Sequence, residues 1–251
     1  PEGIEFYIRT YEDLQVLSGL VSSNAVIMGT NISYASLTYT VLNDIENTAG
    51  DPLNPIGTGT NPFIGTFNGN GKKITNLVVT GTSYVGLFGN TLNANINNLE
   101  IESGNVTASG NYVGGLIGNA TNTEIENIKT NVNITSTGSS YVGGIAGKFT
   151  NNTGERLTLS NFETKGNIVA ETSSFVGGTF GSVENVNLTN LLNTGNVTGG
   201  VTTAGLVGYL ENSNLTVSAN KGNIAGTSKV AGLIAEAVNS KNEPELLEAH
   251  Q

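Results

Sequence analysis

Side chains able to do chemistry are few in this chain and poorly placed for it. The single histidine, His250, lies next to the end of the sequence, so neither a Ser-His-Asp triad nor a histidine metal site can be assembled from the body of the chain. With no cysteine there is also no thiolate metal site and no disulfide framework. Clustered carboxylates are the remaining catalytic option, because polysaccharide lyases and hydrolases work with acids and calcium. The aspartates, Asp13, Asp44 and Asp51, all precede residue 52, and beyond them the acids are glutamates. Glu100 and Glu102, like Glu124 and Glu126, alternate with apolar residues and are expected to face solvent; no spacing selects a catalytic pair. Gly69-Asn-Gly-Lys72 fails as a phosphate loop, since Thr66 and Lys73 stand where that pattern needs Gly and Ser or Thr. No metal or cofactor is therefore expected.

Aromatic side chains are better candidates, for binding rather than catalysis. Tyr84, Tyr112, Tyr141 and Phe175 hold one position of a repeat. A stacked, exposed strip of rings could present a platform to sugar rings or to a protein partner. The competing expectation is a packed ladder at a corner of the fold. Phe175, and the end of the strip at Thr202 and Lys229, favour that packing.

The elements that must position these rings follow from composition and period. Of 251 residues, 36 are Asn, 31 Thr and 34 Gly, which excludes an all-α protein. Ten Lys and Arg against twenty Asp and Glu make an acidic surface that repels phosphate backbones, so nucleic acid is not an expected partner. No apolar run approaches the roughly 18 residues of a membrane span, so no membrane insertion is expected. The absence of cysteine fits an exported bacterial protein, and the first residue, Pro1, suggests a piece of a longer chain.

A motif recurs along most of the sequence: Tyr84-Val-Gly-Leu-Phe-Gly89, Tyr112-Val-Gly-Gly-Leu-Ile-Gly118, Tyr141-Val-Gly-Gly-Ile-Ala-Gly147 and Phe175-Val-Gly-Gly-Thr-Phe-Gly181. Degenerate copies close at Gly208 and Ala235, giving spacings of 29, 29, 34, 27 and 27 residues. A period of this length means a solenoid. Between copies lie Ile96-Asn-Asn-Leu99 and Gly104-Asn-Val106 with their equivalents, so each unit has three short apolar segments and no room for a helix. The expected fold is all-β: a parallel, right-handed β-helix with three short strands per coil.

This fold makes several positions predictable. Leu99, Ile128, Phe162 and Leu191 should stack as an inward column. Asn98, Asn127, Asn161 and Asn190 should tolerate turn geometry and hydrogen-bond their own copies. Glu100, Lys129 and Glu163 should alternate in charge outside, and the Gly-Gly step should permit close approach of neighbouring coils. Thr10-Tyr-Glu-Asp13 reads as a capping box that opens an N-terminal helix covering the first coil. The expected divisions are residues 1–24 for the N-terminal strand and capping helix, 25–80 for irregular first coils, 81–235 for regular repeats and 236–251 for a tail or short helix. The 34-residue unit carries extra residues around Lys148–Arg156, a loop suited to contact.

The repeat resembles the GLUG motif, with its Gly-Leu-any-Gly core at Gly86–Gly89, Gly115–Gly118 and Gly205–Gly208; Ile145 and Thr179 replace Leu in two copies. Phe63-Ile-Gly-Thr-Phe-Asn-Gly-Asn-Gly71 is similar to the lead-in of such repeats, although Asn68 stands where Asp is usual. The resemblance spans about residues 55–235. It implies a secreted or surface-displayed bacterial protein, among adhesins and the non-catalytic amino-terminal regions of peptidases that cleave immunoglobulin A, and it implies no shared active site. The expectation is a non-catalytic surface module that binds a host protein or glycan. A carbohydrate-active β-helix enzyme and a stalk of a larger secreted peptidase are the alternatives. Ice binding is disfavoured because Thr38/Thr40, Thr58/Thr60 and Thr121/Thr123 share no repeat position.

Overall fold

The computed structural model describes residues 4–138 and 141–243. Its strands pair in parallel, one coil upon the next, in a solenoid of about eight turns. The largest sheet has 15 strands and runs from Glu5–Ile8 to Lys241–Glu243; two further sheets have five and six strands. Residues 95–121 show how the chain is distributed: Asn95–Ala108 joins the large sheet, Val113–Gly114 the five-stranded one and Ile117–Thr121 the six-stranded one.

Register and burial follow the repeat. Leu99 pairs with Ile128, Ile128 with Phe162 and Phe162 with Leu191, and all four are buried as one column. Each contributes roughly 25 cal/mol per Å² of apolar surface removed from water. The second glycine of each repeat marks the closest approach of coils. A Cβ on Gly115, Gly144, Gly178 or Gly205 would run into the carbonyl oxygen of Gly144, Gly178, Gly205 or Gly232 respectively.

That space also admits an internal polar column that the sequence pattern does not reveal. Thr130, Thr164, Asn193 and Asn220 succeed one another in register. Thr164 Oγ1 donates to Asn193 Oδ1 (2.9 Å), Asn193 Nδ2 donates to Asn220 Oδ1 (2.8 Å), and Thr130 Oγ1 donates to the Gly144 carbonyl (3.1 Å). A Cβ on Gly178 would meet Asn193 Cγ at 2.6 Å, so glycine and inner amide depend on each other. Burial of Thr130, Thr164 and Asn193 is tolerable because their polar groups are paired.

The asparagine column forms as expected. Asn127 Nδ2 donates to Asn98 Oδ1 (3.0 Å), Asn161 Nδ2 to Asn127 Oδ1 (2.7 Å) and Asn190 Nδ2 to Asn161 Oδ1 (2.7 Å). All four residues have positive φ, from 55° to 64°. Asparagine accepts that left-handed turn with little penalty. The next coil places Val217 at this position with φ of 46°.

Thr10 and Asp13 make the expected capping box, with Asp13 N donating to Thr10 Oγ1 (3.2 Å) and Thr10 N to Asp13 Oδ2 (3.1 Å). It opens α1, Tyr11–Ser22. Leu14, Leu17 and Val21 form the buried stripe, and Ser18 Oγ donates to the Asn54 carbonyl (2.7 Å).

The divisions differ in two places. Residues 25–80 are irregular in spacing, yet Thr38–Val41 and Thr66–Thr75 already lie in the common ladder. At the other end the ladder continues beyond 235, because Ile234–Val238 and Lys241–Glu243 pair with Val207–Glu211 and Asn214–Thr216. The expected tail or helix beyond Glu243, and His250, lie outside the described residues. The inserted loop is found at 151–156: Glu126 follows Thr121 by five positions, whereas its partner Ser160 follows Thr150 by ten.

Two substitutions test this account. Val217→Asn relieves a β-branched side chain in the left-handed region and should stabilise by about 1 kcal/mol. Thr179 is buried in the column of Leu116, Ile145 and Leu206, and its hydroxyl has no hydrogen-bond partner. Thr179→Val keeps the shape and should also gain about 1 kcal/mol. In urea unfolding, each should raise the midpoint without changing the slope.

A candidate binding face

The candidate aromatic residues are brought together. Ring centroids are 5.0 Å apart for Tyr84 and Tyr112, 5.5 Å for Tyr112 and Tyr141, and 5.5 Å for Tyr141 and Phe175. Interplanar angles of 0° and 13° make the last two contacts stacked, and all four rings are half-buried. The column does not stop at Phe175. Although Thr202 succeeds Phe175 in register, Tyr209 crosses from the neighbouring outward column and brings its ring within 5.3 Å of Phe175. Only an aromatic two residues after the motif-opening Gly205-Leu-Val could have signalled this, since Tyr209 is equivalent to Ser182 and Lys148.

Two features set this strip apart. Tyr84 and Tyr112 have φ of 59° and 64°, a left-handed conformation unusual for a bulky residue and costing roughly 1–3 kcal/mol each. In addition, the ring faces cover one another. Tyr84 is backed by Gly59, where a Cβ would come within 3.0 Å of the ring. What the strip offers outward is therefore ring edges and phenol hydroxyls. Among the described residues, those of Tyr84, Tyr112 and Tyr141 have no protein partner.

The flanking charge is mixed. Lys148 Nζ lies 5.3 Å from the Tyr141 ring centroid, a cation–π contact. Tyr209 donates to Glu211 Oε2 (3.2 Å), and partial burial, followed by that hydrogen bond and charge, holds its hydroxyl above the ordinary value. The loop beside Lys148 is pinned: Asn151 Nδ2 donates to the Asn185 carbonyl (2.9 Å) and Asn185 Nδ2 to the Asn151 carbonyl (3.0 Å).

The glutamates of the large sheet form a different surface. Lys73, Glu100, Lys129 and Glu163 succeed one another in register, so charge alternates along the column as expected. Lys73 Nζ is 2.6 Å from Glu102 and 4.0 Å from Glu100, and Lys129 is 3.7 Å from Glu163. These exposed pairs contribute little to stability. Glu124 and Glu126 point to solvent. Among the described residues no group of three or more His, Cys, Asp or Glu is placed to hold a metal, and no helix is long and apolar enough to cross a membrane.

No family model matches the chain, and no curated relative matches it. Its fold is similar to the solved structure of a "putative immunoglobulin A1 protease from Bacteroides ovatus", with a TM-score of 0.51 and 16% identity over 92% of this chain and 83% of that one. At this identity the likeness concerns the fold alone.

The ion pairs make a pH prediction. The hydrogen bond from Lys73, then that from Thr75, holds the Glu102 carboxyl below its ordinary value of 4.5. A lowered folded value means that the contribution of Glu102 is present above the unfolded value and lost as pH falls through the folded one. NMR titration should place the Glu102 midpoint below that of a free glutamate, and Lys73→Met should move it back up.

Proposed function

We propose that this chain is a non-catalytic module of an exported bacterial protein, a right-handed solenoid of the GLUG-like type with three strands per coil and α1 as its N-terminal cap. On this reading it is adhesin-like and binds an extended host ligand, a glycan or a protein segment, lying along the solenoid axis on the Tyr84–Tyr209 strip. The observation that carries the proposal is the strain at Tyr84 and Tyr112. Two tyrosines held in the left-handed region place their rings in a half-exposed column, and strain of this kind concentrates at functional sites. Recognition would run through ring edges and hydroxyls, with Lys148 adding one positive charge beside Tyr141.

A second reading, a stalk or scaffold within a larger secreted peptidase, draws support from the fold likeness to the Bacteroides ovatus structure. It differs in leaving the strip without a ligand.

A glycan array and a panel of host surface proteins, probed with the purified chain, separate the two readings. The adhesin reading predicts a ligand whose affinity falls about tenfold or more in the triple variant Tyr84→Phe, Tyr112→Phe, Tyr141→Phe, which keeps the rings and removes only the hydroxyls. Binding that is indifferent to this variant displaces the strip from the mechanism. No binding to either panel favours the stalk, and degradation of a bound polysaccharide would show that the module is an enzyme.

A further inference from the structure

An insertion in the early coils builds a groove on the large sheet. Glu46 pairs with Thr75 and Leu53 with Val79, so Leu53 follows Glu46 by seven positions whereas Val79 follows Thr75 by four. The extra residues form a loop at 47–51 whose two feet are fixed to the next coil. Asn47 N donates to the Thr75 carbonyl (3.1 Å) and Leu53 N to the Val78 carbonyl (2.8 Å). One buried side chain clamps the loop from within: Asn47 Nδ2 donates to the carbonyls of Asp51 (2.8 Å) and Asn76 (3.2 Å), and Asn47 Oδ1 accepts from Asp51 N (3.0 Å). Tyr11 of α1 adds a hydrogen bond to the Asp51 carbonyl (3.1 Å). A loop tied in this way is held in one shape before any ligand arrives, which lowers the ordering cost of binding.

The groove beside the loop has a volume of about 470 Å³, within the roughly 300–1,000 Å³ of small-molecule sites. The loop contributes Thr48, Ala49 and Gly50, and the large sheet contributes Asn105, Asn131 and Asn133. These three amides are set up to receive a ligand. Asn131 Nδ2 donates to the Glu102 carbonyl (3.0 Å), which leaves its Oδ1 to accept, and Asn133 Oδ1 accepts from Asn167 N (3.0 Å), which leaves its Nδ2 to donate. Neither polar atom of the Asn105 side chain, which stands between them in the ladder, has a partner among the described residues.

The lining also selects the ligand class. None of the described residues lining the groove is charged, so nothing there meets a phosphate, a carboxylate or a metal ion. No aromatic side chain lines it to anchor a peptide. A neutral molecule rich in hydroxyls fits, because each hydroxyl both donates and accepts and an amide offers both partners side by side. We propose that this groove is a binding site for a neutral saccharide, whose hydroxyls pair with the amides of Asn105, Asn131 and Asn133 beneath the 47–51 loop. It shares no residue with the aromatic strip and does not depend on it.

NMR titration of the intact chain with glucose, galactose, mannose, N-acetylglucosamine and their disaccharides tests this, with glucuronic acid and N-acetylneuraminic acid as charged comparators. A neutral sugar should shift the side-chain amide signals of Asn105 and Asn133 and the backbone signals of residues 48–50, and the shifts should saturate. The acids should bind about tenfold or more weakly, because a carboxylate would lose water without gaining a cation. Asn105→Ala should weaken neutral binding about tenfold. Its side chain is exposed and supports nothing in the fold, and circular dichroism checks that the variant is folded. The triple variant Tyr84→Phe, Tyr112→Phe, Tyr141→Phe should leave this binding unchanged, which separates the groove from the strip. The proposal is overturned if no sugar shifts the groove signals, if glucuronic acid binds as well as glucose, or if affinity survives Asn105→Ala.

Discussion

A parallel solenoid places each side chain directly against its equivalent in the next coil, at the strand spacing of about 4.8 Å. Every column must therefore be built from residues that tolerate their own copies. Aliphatic side chains do so by excluding water, as Leu99, Ile128, Phe162 and Leu191 do. Asparagine does so because one amide both donates and accepts, so Asn98, Asn127, Asn161 and Asn190 pass a hydrogen bond along the axis. Like charges cannot, and the Lys73–Glu100–Lys129–Glu163 column alternates in sign. Much of the repeat consensus is a set of solutions to this one constraint.

The glycine column shows how far the constraint reaches. Backbone meets backbone at Gly144, Gly178 and Gly205, closer than any Cβ allows. The same opening accommodates the buried Thr164 and Asn193 and the half-buried Asn220, whose side chains then pair along the axis. A larger residue at the glycine would displace both a coil and an amide. Thr179 has the opposite problem. It occupies an aliphatic column with no neighbour able to take its hydroxyl, which is left buried and unpartnered.

What the sequence made legible was whatever repeats. The inward aliphatic column, the asparagine ladder, the alternating charges and the Thr10–Asp13 capping box follow from spacing and side-chain chemistry, and all four are found in the structure. What was not legible breaks the period or lies at right angles to it. Tyr209 joins the rings from an adjacent column, so alignment by repeat ends the strip at Thr202. The inner Thr and Asn residues look like solvent-facing turn residues until the glycine opening is seen. The final coil keeps Gly232-Leu233 but has Lys229 at the aromatic position and closes on Ala235 rather than glycine, so its strands beyond Ala235 as far as Glu243 are apparent only from pairing.

The two kinds of column differ in what they leave free to vary. Inside, stacking energy rewards sameness, and a substitution in one coil is felt by its neighbours. Outside, the column Asn90, Asn119, Lys148, Ser182, Tyr209 and Glu236 changes at every step after Asn119. Apart from the buried Ser182, its residues are partly exposed and contribute little to the core, so their identities are not fixed by the fold. The ring column lies between these extremes. Its stacked faces satisfy the demands of the ladder, while its edges and hydroxyls remain at the surface. Packing alone does not require the left-handed region at positions 84 and 112, because the equivalent Phe175 enters the same stack without it. The strained pair must instead be held by its surroundings: the hydrogen bond from Tyr84 N to the Asn111 carbonyl and from Val85 N to the Tyr112 carbonyl fixes the backbone there, and the rings extend the stack toward the N-terminal coils at the expense of local conformational freedom.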